Sequence, residues 1–159
     1  MRTIFALLFF LLPGMVSDAN PAEDFLAHEL LDDTEEGTPI HNTPEDRERF
    51  KEYIEYINPY TNEPLDTILE KTGLFFLGSP YVPHTLEVTD EEQLVVNLRE
   101  FDCVTYIETV IALSNMVKAG ENTFDDFTAQ LLRVRYRDGF LNGYTSRLHY
   151  TSEWVYNNE

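Results

Sequence analysis

Residues 99–113 read REFDCVTYIETVIAL, and Cys103 within them is the only cysteine of the 159-residue chain. The chemistry open to a single thiol is nucleophilic attack through its thiolate. Asp102 is a good N-cap residue, which places Cys103 at the first position of a helix. Unpaired backbone N–H groups and the helix dipole favour negative charge there, on a thiolate or on the oxyanion of an attacked carbonyl. Asp102 acts the other way, because a neighbouring carboxylate disfavours a second negative charge unless it points into solvent or towards a substrate amine. The competing role for Cys103 is that of a small buried hydrophobe.

A thiolate nucleophile calls for a base, and the chain offers His28, His41, His84 and His149. His28 and His41 sit in an acidic stretch and read as solvated surface residues. His84 follows Pro83 in a loop, and His149 lies downstream of Cys103 as the general base of a Cys/His pair does. One cysteine and scattered histidines show no zinc-ligand spacing, so no metal site is expected. Arg133 and Arg137 stand at i and i+4 near a helix C-terminus, where cations complement the dipole. Arg135, Arg137 and Arg147 also form a basic patch suited to acidic groups of a ligand through charge-assisted hydrogen bonds. Tyr136, Tyr144, Tyr150 and Trp154 add flat faces that serve either a ligand or the core.

The elements that must position these groups follow from periodicity and caps. Thr43 caps a helix with Pro44 at its first position and Glu45-Asp46 in its first turn, and Phe50, Tyr53, Ile54 and Ile57 recur at helical spacing until Asn58-Pro59. A second helix is predicted over Pro64–Thr72, with Gly73 as its stop. LFFLGSPYVPHTLEV is an ordered loop or short strand pair, since its prolines exclude a central strand. QLVVNL, residues 93–98, is a strand or the lead-in to the cysteine helix. From Asp102 to Gly120 the helix is apolar nearly all round, the pattern of a buried central helix. A further helix starts at Thr123 with Asp125-Asp126 in its first turn and closes near Gly139, and the aromatic tail has no clear period.

The N-terminus sets the compartment. Arg2, the apolar run Ile4–Leu12, the break at Pro13-Gly14 and the small residues Ser17 and Ala19 read as a secretory signal over residues 1–19. The run is too short to span a bilayer, which takes about 20 residues, so the mature protein is expected to be exported, periplasmic or extracellular, and not inserted in the membrane. An unpaired thiol in an oxidising compartment is a liability unless it is used, which favours the catalytic role. Residues 20–46 form an acidic, proline-bearing, loosely ordered leader, and residues 47–159 form the domain. Lys and Arg total 11 against 29 Asp and Glu, a net charge of −18. Such a chain is repelled by nucleic acid and by anionic membrane, and both are excluded as partners.

FDCVTYIETVIAL resembles the nucleophile helix of the NlpC superfamily, papain-like cysteine peptidases and amidases of bacterial cell walls. GSPYVPHTLE, REFDCVTYIETVIAL, RVRYRDG and YTSRLHYTSEW, in that order, are similar to one branch of it, secreted N-acetylmuramoyl-L-alanine amidases long catalogued as a domain of unknown function. The resemblance implies an α+β papain-like fold and cleavage of the amide between muramic acid and the first stem-peptide residue of a peptidoglycan fragment, without metal or other cofactor. It implies Cys103 as nucleophile and Tyr81 near the cleft; Asp102 and Tyr81 are then expected to orient the substrate, and the patch of Arg135, Arg137 and Arg147 to hold its acidic groups. It assigns His149 to a substrate-cleft or structural segment, whereas spacing makes it the base. In that family a β-rich half follows and carries the catalytic histidine; the chain resembles only the helical half, so it is expected to be a truncated and inactive form. The alternatives are a non-catalytic exported muropeptide-binding or degenerate protein, and a stem-peptide endopeptidase.

Overall fold

In the computed structural model residues 37–159 are described; the expected signal peptide and most of the acidic leader lie outside the described residues. The chain from residue 37 is nonetheless tied into the fold. Strand β1 (Ile40–His41) pairs in parallel with β2 (Leu94–Val95), Ile40 opposite Leu94 and His41 opposite Val95. Flanking bonds from Leu94 N to Pro39 O (2.9 Å) and Val96 N to His41 O (2.8 Å) extend the pairing. The rest is mostly helical, consistent with an α+β class.

Helix α1 (Pro44–Ile57) begins as its sequence requires: the Thr43 hydroxyl accepts from Asp46 N while the Asp46 carboxylate accepts from Thr43 N at 2.9 Å. Its Phe50, Tyr53 and Ile57 are buried. After a 3₁₀ turn at Asn58–Tyr60, helix α2 (Leu65–Phe75) runs past Gly73, the predicted stop. Gly73 serves close approach instead. A Cβ there would lie 3.2 Å from the Tyr106 hydroxyl, which donates to Gly73 O at 2.9 Å and so holds the next helix against α2.

Helix α3 (Cys103–Lys118) packs against α2 and against α4 (Phe124–Arg135). Its C-terminal half is buried through Ala112, Leu113, Met116 and Val117. The N-terminal half departs from the expected all-round burial: Val104 and Ile107 are 46% and 49% exposed and Cys103 is exposed beside them. Only one side of these first turns is covered, so the apolar stripe Cys103, Val104, Ile107 stays open. Helix α4 carries Phe124, Phe127, Leu131 and Val134 on its inner face and starts with a Thr123–Asp126 capping box.

Past α4 the regular helix ends at Arg135. The tail turns back through 3₁₀ turns at Arg137–Gly139 and Tyr144–Ser146, pairs Tyr136 with Arg147, and closes with α5 (Thr151–Asn157). Aromatic rings form the centre of the core. Phe50 packs on Phe124 and Phe127, Tyr53 stacks on Phe76, and Phe76 meets Phe101 edge-on at 5.2 Å. Each such pair contributes about 0.5–1.5 kcal/mol beyond the area it buries. Phe101 directly precedes the cap of α3, so this core fixes where the cysteine emerges.

Candidate active site

Two backbone bonds clamp Phe101 to the loop that faces the cysteine: Phe101 N donates to Pro80 O at 3.0 Å, and Val82 N donates to Phe101 O at 2.9 Å. The Phe101 ring is anchored below by Phe76 and by Tyr106 (5.8 Å). Tyr81, between the two clamped positions, is thereby held with its side chain 70% exposed. Between this loop and the start of α3 opens a cleft of about 420 Å³, whose walls include Gly78, Pro80, Tyr81, Asp102, Cys103 and Ile107. The sequence-derived trio Tyr81, Asp102 and Cys103 therefore shares one cavity.

The cap decides which amides can serve a ligand. Asp102 Oδ1 accepts from Val104 N (2.9 Å), Thr105 N (2.8 Å) and the Thr105 hydroxyl (3.0 Å), while Thr105 Oγ1 accepts from Asp102 N at 2.9 Å. Two first-turn N–H groups are thus consumed by the cap. No described residue accepts a hydrogen bond from the N–H of Cys103 itself. The oxyanion-binding capacity expected of the helix N-terminus narrows to that one amide, which lies on the same residue as the thiol.

The histidines and arginines stand apart from this cleft. Neither His84 nor His149 lines it. The His149 ring lies 4.3 Å from that of Tyr144, and its Nε2 carries a proton donated to Tyr144 O at 2.9 Å. His84 is exposed, in the left-handed region at φ 61°, with Nδ1 3.9 Å from Glu87. Arg135 points inward and is 2% exposed: its Nε donates to Glu108 at 2.7 Å and its Nη1 to Val95 O at 2.6 Å, joining α4 to α3 and β2. That places its guanidinium in the core, away from any ligand. Arg137 is paired with Glu153 and donates to Thr145 O at 3.1 Å. Arg147 is buried between Glu87 (2.9 Å) and Glu92 (3.5 Å). The expected basic patch is therefore neutralised residue by residue, and of the three only Arg147 lines a cavity next to the cysteine, one that Asp102 also lines.

Three groups near the site have tertiary surroundings that the local sequence does not signal. Asp46, fully buried, accepts from Leu98 N (2.8 Å) and Arg99 Nε (3.0 Å), tying the cap of α1 to the turn that leads into Phe101. Glu108 faces Arg135 across the helix pair. Thr85 Oγ1 is buried with no hydrogen-bond partner. Among the described residues no group of three or more His, Cys, Asp or Glu side chains is placed to hold a metal ion, and no helix is long and apolar enough to cross a membrane.

Comparison with known proteins adds the family. The chain is similar to an N-acetylmuramoyl-L-alanine amidase from Bacteroides uniformis, with 40% identity and a TM-score of 0.56 over 59% of this chain and 39% of that one. It is also similar to a putative xylanase from Bacteroides fragilis, with 45% identity and a TM-score of 0.51 over 54% of this chain and 37% of that one. A Legionella pneumophila protein of the DUF1460 family, at 22% identity and a TM-score of 0.59 over 72% of this chain and 37% of that one, shares the fold. The chain spans about two fifths of the length of these solved relatives. No curated protein matches it. The family model for AmiA-like, N-acetylmuramoyl-L-alanine amidase-like proteins matches residues 71–159, more than half of the sequence and the whole stretch that carries the cleft, and the chain belongs to that family.

Proposed function

We propose that this protein is an exported cysteine amidase of peptidoglycan fragments, built on the helical half of a papain-like NlpC-superfamily fold. The observation that carries the reading is the exposed Cys103 at the first position of α3, inside a cleft, with its own N–H unengaged. Cys103 Sγ attacks the carbonyl carbon of the amide joining the muramic acid lactyl group to L-alanine. The tetrahedral oxyanion is held by the Cys103 N–H. The C–N bond then breaks, the alanine amine leaves with a proton, and water hydrolyses the thioester to free the carboxylate and the thiol. Tyr81 and the free side of Asp102 orient the substrate, and Arg147 contributes from the adjoining cavity.

Departure of the amine needs a proton donor, and general acid–base catalysis contributes typically about 10²–10⁴-fold. No described histidine lines the Cys103 cleft. Among the described residues the nucleophile therefore has no histidine partner in its cleft, and in this reading the acid–base partner comes from the β-rich half that the resemblance implies. The same observation favours the second reading, a muropeptide-binding protein without turnover.

The test incubates purified protein with a muramoyl-L-alanyl peptide and follows the free amino group. The 159-residue chain is expected to release none, and supplying the part of the Bacteroides uniformis amidase outside the matched region is expected to restore release that Cys103→Ala abolishes. Release by the chain alone that is lost in both Cys103→Ala and His149→Ala would make His149 the base. Restored release that survives Cys103→Ala would remove the cysteine mechanism.

A further inference from the structure

The Cys103 cleft lies between the end of one helix and the start of another. Residues 76–81 form one wall, and Asp102, Cys103, Tyr106 and Ile107 stand on the other. The first wall is a direct continuation of α2: Phe76 N donates to Gly73 O (3.2 Å), Leu77 N to Leu74 O (3.2 Å) and Ser79 N to Phe76 O (3.1 Å), with Gly78 at φ 90° within the turn. This wall therefore goes wherever the last turn of α2 goes. The second wall is the opening of α3. The width of the cleft thus depends on how closely the end of α2 approaches the first turns of α3.

Two fastenings join the walls. The clamp at Phe101 ties Pro80 and Val82 to the residue before the cap of α3. The end of the wall nearer α2 is tied by a single side chain: the Tyr106 hydroxyl donates to Gly73 O at 2.9 Å, and a Cβ on Gly73 would lie 3.2 Å from that hydroxyl. Cys103 and Tyr106 are neighbours on the surface of α3, about 4.5 Å apart along its axis, so this tie acts one turn below the thiol. Gly73 O belongs to the last turn of α2, where carbonyls lack their full intrahelical partners, and the Tyr106 ring, packed on Phe101 at 5.8 Å, brings a hydroxyl that needs an acceptor. Glycine is a poor helix former. Its place inside α2 is explained by the approach it permits and not by the helix.

We propose that Tyr106, seated on the bare backbone of Gly73, is a positioning residue for the nucleophile: it sets the distance between the Tyr81 wall and Cys103, and through that distance how firmly the cleft grips a substrate. This rests on the amidase reading and adds to it a residue that acts through the placing of α3, since its one polar atom is already spent on Gly73. Two substitutions disturb the tie in different ways. Tyr106→Phe removes the hydrogen bond and keeps the ring, whereas Gly73→Ala keeps the hydroxyl and pushes it away. With both together, the atom that the new Cβ would meet is gone.

The experiment reads the grip itself. Alkylation of Cys103 by iodoacetamide is timed in the full-length protein over a series of concentrations of muramoyl-L-alanyl-D-isoglutamine, well below the unfolding midpoint of every variant. The peptide concentration that halves the rate is expected to rise about tenfold in Tyr106→Phe and in Gly73→Ala, within the up to about 10²-fold that a misplacement of about 1 Å can cost. The double variant should be no worse than Tyr106→Phe alone, because residues in contact do not act additively. The rate without peptide should change little, since the walls do not hold so small a reagent. Tyr53→Phe, which loses a buried contact with Thr72 away from the cleft, controls for loss of stability and should keep the wild-type value. Helix propensity alone would make Gly73→Ala harmless. Unchanged protection in both single variants, an equal loss in Tyr53→Phe, or effects that simply add in the double variant would overturn the proposal and leave the amidase reading standing. Failure of the peptide to protect wild-type Cys103 would overturn the two together.

Discussion

Asp102 has two duties that separate under mutation. Oδ1 closes the cap of α3 through Val104 and Thr105, while the residue also lines both the cysteine cleft and the cavity beside it. Asp102→Ala should lower stability by about 0.5–2 kcal/mol, the usual cost of a lost N-cap, and Asp102→Asn should keep most of it; urea denaturation of the two variants measures the difference. The arginines divide more sharply. Arg135→Met leaves the buried Glu108 carboxylate uncompensated and should cost about 3–5 kcal/mol, whereas Arg137→Ala, removing a partly exposed pair with Glu153, should cost no more than about 1 kcal/mol. Thermal and denaturant unfolding of both variants checks the contrast. Capping is local, so the place of Cys103 at the head of its helix is legible in FDCVT alone. The duty of an arginine is set by whichever carboxylate the fold delivers to it: Glu108 reaches Arg135 from α3, and Glu87 reaches Arg147 from a loop beyond Pro83. Nothing in RVRYRDG distinguishes Arg135 as the buried one.

At the scale of elements, caps and periodicity identify α1, α3 and α4 with their starts, because Thr43, Asp102 and Thr123 each bond within their own first turn. The end of α2 was not legible, since the reason Gly73 remains helical is the Tyr106 hydroxyl from another helix. The first turns of α3 are less buried than their apolar composition predicts, for a related cause. Apolar residues on all sides of a helix show what could be covered, and the described residues cover only one side of its first turns. The packing of α1 on α2 has a titratable core in Tyr53. Burial pushes its phenol up to about 12, partly opposed by its hydrogen bond with Thr72 at 2.9 Å, and burial likewise raises Tyr136, helped by the neighbouring Glu92. A folded-state pKa above the unfolded value of about 10 means that folding favours the protonated phenol. That contribution is whole below about pH 10 and is lost as pH rises through about 12, on the order of 2 kcal/mol for Tyr53. Denaturation between pH 8 and 12 should show falling stability, with a shallower slope in Tyr53→Phe; an unchanged slope would mean that Tyr53 does not ionise on unfolding.

For the whole molecule, an aromatic core holds a loop, a cap and a helix start in one arrangement, and among the described cations Arg135 and Arg147 are buried against carboxylates. From the sequence, the α+β class and the cysteine-bearing helix are legible, together with the resemblance to cell-wall amidases. The cavities beside the cysteine are not, because their walls come from residues 84–92, from Asp102 and from residues 143–149, which only the tertiary fold brings together. Beside the cysteine, Val104 and Ile107 continue into a smaller apolar hollow lined by Leu148, Trp154 and Val155, so the open face of α3 extends past the cleft. The account stands on Cys103 being an accessible nucleophile in a muropeptide cleft. The most direct test is the rate of iodoacetamide alkylation of Cys103 in the native protein, with and without a muramoyl-L-alanyl peptide. Labelling of the folded protein that the peptide slows is the predicted result. A thiol that labels only after denaturation, or at a rate the peptide does not change, would contradict it.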